Sequence, residues 1–257
     1  MSGLLKNRKV LIGILAGVVV FGLINLALLT YFLIYPENEL PDLSIFKVNE
    51  KTPPAKTESK KPLVNPPVVT SVLPKGKILF QDDFSQVKSG WPRKESSTGL
   101  MDYVLDSYHL LVKEPNYFIW ATIGKSFADV IIEVDARVGS VAGGDAGIIC
   151  RYRSPENFYQ FVVANDGYFG VYKLKNNQKT FVGMNQMRFS PAINTFNSTN
   201  SLRAECIGSR LKFYANGVLL IDVLDLDFVV GDVGISAGSY NLGGVDVQFD
   251  NFVVMQP

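Results

Sequence analysis

The stretch IIEVDARVGS, residues 131–140, sets two carboxylates, Glu133 and Asp135, two positions apart. In an extended strand that spacing puts both on one face. Two carboxyl groups about 5 Å apart are what retaining glycoside cleavage requires, one as nucleophile and one as acid/base. The next residue on that face is Arg137, however, while Val130, Ile132, Val134, Ala136 and Val138 alternate with the acids as a buried row would. The plainer reading is the polar face of a strand, with Arg137 offsetting the two negative charges.

Other reactive residues are sparse. His109, in DSYHLLVK, is the only histidine, so it alone could serve a hydroxyl or thiol nucleophile as base. It reads as a half-buried structural residue. One histidine and two distant cysteines cannot supply four zinc ligands. Those cysteines, Cys150 in GIICRY and Cys206 in RAECI, both fall in apolar strand-like runs. A bridge between them would close a loop of roughly 57 residues, for which chain entropy gives about 4 kcal/mol. Two separate buried thiols are the alternative; the bridge is expected if the domain lies in an oxidising compartment.

The elements that must position these residues fall into four segments. Residues 10–35, beginning at Val10 and ending at Tyr35, carry no charge, and a membrane span needs about 20 such residues. The run is too long for a signal-peptide core and ends in Tyr35-Pro36-Glu37, not at small residues, so it reads as an uncleaved anchor. Lys6, Arg8 and Lys9 precede it, and Glu37, Glu39 and Asp42 follow. The positive-inside rule then places residues 1–9 in the cytoplasm and everything after the span outside, a single-pass protein of the plasma membrane. Residues 36–75 hold eight of the thirteen prolines among Lys, Thr, Ser and Glu. Extended at about 3.1 Å per residue, this disordered linker could reach roughly 120 Å as a stalk.

Residues 76–257 then form one domain. Period-two alternation recurs in DVIIEVDARV, FYQFVVA, GYFGVYKL, SLRAECI, RLKFYA, VLLIDV and VDVQFDNFVV, and helical periodicity is hard to find. Asn216-Gly217 is a strong hairpin signal, joined by Asp166-Gly167 and Asn176-Asn177. Ten or more short strands predict an all-β antiparallel sandwich. Residues 1–75 hold nine Lys/Arg against five Asp/Glu, and the remainder sixteen against nineteen. The mildly acidic domain argues against nucleic acid as a partner, which would demand a positive stripe. The oligomeric state is not legible.

FQDDF (80–84), SGW (89–91), FIWAT (118–122), GIICRY (147–152), NFYQFVVANDGYFGVYK (157–173), GDVGISAG (231–238) and FDNFVV (249–254) resemble a bacterial family of extracytoplasmic domains. That family has the concanavalin A-like lectin/glucanase jelly-roll fold and is similar to 3-keto-disaccharide hydrolase-like domains. In the glycanase pattern of this fold a further Glu follows the Glu-x-Asp pair, at 137 or 138 in this chain. Arg137 and Val138 stand there, so the acid/base is missing. In such sandwiches the terminal strands often lie side by side, and Asp83 with Asp250 could together hold a structural Ca²⁺; as strand-end aspartates in turns they need none. No cofactor is otherwise required.

Tyrosines with carboxylates and amides suit sugar, whose faces stack on rings while hydroxyls take hydrogen bonds. Tyr159, Tyr168 and Tyr172 on one hairpin, with Arg151, Tyr152 and Arg153 just before it, are the candidate ligand-binding residues. The expectation is a membrane-anchored, non-catalytic domain that binds a glycan or cell-wall polysaccharide. A structural or protein-interaction module of a surface assembly is the first alternative, and a glycoside- or keto-sugar-cleaving hydrolase the second.

Overall fold

Alternating apolar residues can be buried on one face of a strand only if two sheets press those faces together, and this arrangement is adopted. The computed structural model describes residues 76–257 and contains sixteen strands there. The expected anchor and linker lie outside the described residues. Among the described residues no helix is long and apolar enough to cross a membrane.

The larger, nine-stranded sheet runs in the order β14 (Val218–Leu224), β13 (Arg210–Ala215), β12 (Thr199–Ile207), β6 (Val130–Val138), β16 (Val245–Met255), β4 (Ser107–Val112), β3 (Gly99–Val104) and β2 (Lys94–Glu95). β1 (Ile78–Asp82) adds to it by pairing with β16, so the first and last strands are neighbours. The second, seven-stranded sheet runs β10 (Gln178–Phe181), β9 (Tyr168–Lys175), β8 (Asn157–Ala164), β7 (Gly144–Ser154), β15 (Gly231–Ser239) and β5 (Phe118–Phe127), with β11 (Arg188–Phe189) paired to β9. Every ladder is antiparallel.

Turn chemistry follows the sequence. Asn216 and Gly217 both take positive φ, 51° and 79°, between β13 and β14, as do Asn176 and Asn177 between β9 and β10. Leu105 and Asp106 make the same left-handed pair between β3 and β4 without a glycine or asparagine to announce it.

The core lies between the sheets. Val130, Ile132, Val134, Ala136 and Val138 of β6 point into it, as do Ile148, Phe161 and Val171 of the facing sheet. Cys150 on β7 and Cys206 on β12 are joined by a disulfide, with Cα atoms 6.9 Å apart, which ties one sheet to the other. One end of the core is closed by rings. Phe84, Trp91, Tyr103, Tyr108 and Phe252 meet with centroids 5.0–6.4 Å apart. Asp82 holds this cluster together, accepting from the Trp91 indole at 3.0 Å and from the Phe84 amide at 2.8 Å. A hydrogen bond to a charged acceptor contributes about 1.5–3 kcal/mol. The FQDDF and SGW motifs thus do structural work at the strand ends.

Candidate functional site

The outward positions of the smaller sheet behave unlike an ordinary solvated face. Gly147, Gly170, Gly234 and Gly238 occupy the middle of it, on the three strands β7, β9 and β15. Three of these glycines are demanded by close approach, Gly234 most tightly, where a Cβ would stand 2.0 Å from the Ala121 carbonyl oxygen. A Cβ on Gly147 would stand 2.7 Å from Ser236 Oγ and 2.5 Å from the Phe161 carbonyl, and one on Gly238 would stand 2.7 Å from Asp145 Oδ1. Neighbouring side chains and carbonyls therefore lie close against the backbone along this phase.

Around these glycines stand polar and aromatic groups. Gln160 Nε2 donates to Ser236 Oγ at 2.9 Å, both residues being buried. The Tyr240 hydroxyl donates to Asp145 Oδ2 at 2.8 Å. Among the described residues, Asp145 Oδ1 and Gln160 Oε1 have no hydrogen-bond partner, although Asp145 is 5% exposed and Gln160 1%. Burial without a partner is costly for such atoms, and each calls for a donor. Burial raises the Asp145 carboxyl above the usual carboxylate range, opposed by the Lys179 charge, the Tyr240 hydroxyl and the Gly238 amide. The Tyr172 hydroxyl is pushed up to about 12 by burial and by the charge of Asp145.

Aromatic walls complete the face. Phe118 and Trp120 stack at 5.2 Å, Trp120 meets Phe158 at 5.8 Å, and Tyr152 meets Phe158 at 5.5 Å. On the other side Tyr172 packs on Phe181 at 4.5 Å. Lys179 links the two walls, its ammonium 4.1 Å from the Tyr172 ring centre and 5.0 Å from that of Phe118. Lys179 belongs to β10 and Phe118 to β5, the opposite ends of the sheet path. In a flat sheet those strands would be about 24 Å apart, five steps of about 4.8 Å. The contact therefore requires strong curvature, and the face is concave. Beyond Phe118 and Trp120 it continues into a cleft of about 330 Å³ bordered by Pro92, Lys94 and Met101 of the larger sheet's edge.

Of the candidate residues read from the sequence, Tyr152, Tyr168 and Tyr172 lie on the outward phase of the smaller sheet, Tyr152 and Tyr172 within the walls of this concavity. Tyr172 forms part of one wall, and half-buried Tyr152 joins the other. Tyr168 is 43% exposed and packs edge-on against Phe189. Arg153 is exposed. Tyr159 and Arg151 are corrections to the expected ligand surface. Tyr159 lies on the inward phase of β8, wholly buried, and donates to Asp225 Oδ1 at 2.5 Å. Arg151 takes φ = 53° where the β7 register shifts, a bulge that turns its side chain inward and Tyr152 outward. Its guanidinium, 1% exposed, donates to the Phe228 and Gly208 carbonyls, each at 2.7 Å.

Asp145, Gln160, Ser236 and Lys179 escaped the sequence reading. The signal that could have found them is the recurrence of glycine at one strand phase, which marks close backbone approach.

The acidic pair of the opening stretch lies elsewhere. Glu133 and Asp135 point outward from the larger sheet, on the opposite side of the sandwich. Arg203 Nη1 meets Glu133 Oε1 at 2.6 Å, Arg203 also binds Glu205 at 2.9 Å, and Lys212 follows at 3.2 Å. Asp135 accepts from the Asn251 amide at 3.0 Å, and Arg137 binds Gln248. This is a cross-strand polar ladder. Asp250 lies opposite Asp135 and accepts from its neighbour Asn251, while Asp83 binds Ser85. Among the described residues no group of three or more His, Cys, Asp or Glu side chains gathers to hold a metal.

His109 sits in a chain that resembles a nucleophile relay. Ser107 Oγ is 3.0 Å from His109 Nε2, and Nδ1 is 3.2 Å from Asp246 Oδ1. The Ser107 hydroxyl donates to the Val104 carbonyl at 2.8 Å, however, so its proton is directed away from the imidazole. The chain works as a tether between β4 and β16.

No family model matches the sequence, and no curated protein does. Solved structures do match in fold. The carbohydrate-binding module CBM66 from Bacillus subtilis is similar at 19% identity and a TM-score of 0.53, covering 65% of this chain and 96% of its own. A Bacillus subtilis protein of unknown function with a galectin-like fold aligns at 13% identity and a TM-score of 0.54, covering 71% and 97%. A Bacillus licheniformis beta-glucanase aligns at 12% and 0.52, covering 71% and 99%. The class is thus a concanavalin-like jelly-roll sandwich, an architecture found in both carbohydrate-binding modules and glycanases.

Proposed function

We propose that residues 76–257 bind a glycan on the concave face of the smaller sheet, and that they do so without cleaving it. The observation that carries this reading is the pair of buried, unpartnered acceptors, Asp145 Oδ1 and Gln160 Oε1, beside aromatic walls. Sugar hydroxyls are donors that would satisfy those atoms, and sugar rings stack on Trp120 or Tyr172. Cleavage needs two carboxylates converging on one bond. Asp232 is the other carboxylate on the outward phase of these strands, and its oxygens accept from the amides of Gly124, Lys125 and Val233; Asp166, in the turn before β9, acts on Tyr240 by its charge. Residues 10–35 anchor the chain in the plasma membrane and residues 36–75 hold the domain away from it, on the extracytoplasmic side. A cell-wall or surface polysaccharide is then the ligand within reach.

A protein-interaction module is the second reading. Val218, Leu219 and Leu224 of edge strand β14, with Leu226, Val229 and Val230 after it, are 44–72% exposed and would suit a protein surface. Glycan-array binding by the full-length chain separates the two. Binding that Asp145→Ala abolishes and Leu224→Ser leaves intact supports the glycan reading; silence across a broad array supports the second.

A further inference from the structure

Lys179 is the feature of the concave face that a neutral sugar leaves unexplained. Its neighbours on the chain are neutralised: Lys173 meets Asp225 at 2.5 Å and Asp227 at 2.6 Å, and Lys175 meets Asp227 at 2.6 Å. Lys113 and Lys212, on the other sheet, find carboxylates at 2.7 and 3.2 Å. Lys179 has no carboxylate within 4 Å among the described residues, nor any hydrogen-bond acceptor. Its ammonium rests between the Tyr172 and Phe118 rings. Ring faces attract a cation but accept none of its three N–H bonds in the manner of an anion.

We infer that the concave face takes a glycan carrying a negatively charged substituent, with the anion seated on Lys179 and neighbouring hydroxyls donating to Asp145 and Gln160. The inference rests on the glycan reading above and names the ligand class for the same site. Division of labour within the face supports it. The two unpartnered acceptors suit donors, the unpartnered ammonium suits an acceptor, and the aromatic walls between them suit the ring that carries both. Lys179 also keeps accessible surface, so a ligand can reach it. The side chain as a whole is exposed, but the crowding of its ammonium between the rings holds the amine below the usual lysine range, with Asp145 opposing that effect; a ligand anion would offset the same penalty. Lys94, exposed on the adjoining cleft, adds a second positive group to that end of the face. A carboxylate and a phosphate present the same chemistry to an ammonium, and the test distinguishes them.

The experiment is affinity measurement with the purified full-length chain on matched pairs of oligosaccharides. Uronate-containing glycans are compared with their methyl esters, and sugar phosphates with their dephosphorylated forms. The expected result is at least tenfold tighter binding of the charged member in one or more pairs, about 1.4 kcal/mol. That preference should weaken with added salt, vanish in Lys179→Gln, and persist in Lys179→Arg. Preference in the uronate pairs assigns a carboxylate, and preference in the phosphate pairs a phosphate. Equal binding of charged and neutral members would overturn the inference while leaving the glycan reading intact. A charge preference unchanged in a natively folded Lys179→Gln would overturn the assignment to this residue. Binding of no member of any pair would overturn both.

Discussion

The Tyr240 hydroxyl donates to Asp145 Oδ2 at 2.8 Å and leaves Oδ1 of the same buried carboxylate without a partner. A residue serving stability alone would be expected to have both oxygens satisfied, as Asp82 does with the Trp91 indole and the Phe84 amide. Arg151 Nε and Asn165 Oδ1 are also buried without a partner; it is the position of Asp145 on the concave face that makes its open acceptor suit a donor from outside the chain, as the proposed glycan site requires.

Asp145→Asn should therefore separate stability from binding. Burial raises the carboxyl pKa in the folded state, so between the unfolded value near 3.8 and the raised folded value the native protein holds a proton that the unfolded chain releases. Stability contributed by that proton is present below the unfolded pKa and is lost as pH rises through the folded one. Asparagine has no such loss. Thermal melts should show the variant gaining on the natural protein as pH rises above about 4 and through the raised folded pKa, while glycan affinity falls at least tenfold. A difference in melting temperature that does not move with pH would contradict the raised pKa.

Arg151→Ala tests the correction made to the expected ligand surface. Its guanidinium satisfies two carbonyls, Phe228 and Gly208, and fills a closed space. Losing both bonds and leaving a cavity should cost roughly 3–5 kcal/mol, or about 10 °C in a domain of this size. Binding by the fraction that remains folded should be unaltered. A stable variant with lost affinity would return Arg151 to the ligand site.

The Cys150–Cys206 bridge spans 56 positions, for which loop-closure entropy gives about 4 kcal/mol. Intact-mass analysis of the denatured chain without reductant should find no alkylatable thiol. The double Cys→Ala variant should melt about 10 °C lower. Two alkylated cysteines would contradict the bridge.

Asp83 and Asp250 are each engaged by adjacent backbone or hydroxyl groups. Chelation of divalent cations should accordingly leave the melting transition where it is. A fall of several degrees would point to a structural calcium ion at this end of the sandwich.

Much of the fold was legible because alternation is a physical consequence of a two-layer core. DVIIEVDARV read correctly down to which residues of β6 face inward, and Asn216-Gly217 marked its hairpin. The site was less legible for two reasons. Arg151 carries no glycine to announce its left-handed backbone, so the bulge that exchanges Arg151 and Tyr152 between faces is silent in the sequence. Asp145, in AGGDAG, resembles loop sequence, and its role depends on glycines contributed by strands distant along the chain. Lys179 was likewise invisible, since its contact with Phe118 exists only because the sheet curls.

The most direct test of the glycan site is array binding by the full-length chain beside its Asp145→Ala and Trp120→Ala variants, with product analysis on every hit. The expected result is binding of intact glycan by the natural chain, lost or weakened at least tenfold in both variants while their melting profiles stay cooperative. Undiminished binding in both folded variants, or release of cleaved products, would contradict a non-catalytic glycan site on the concave face.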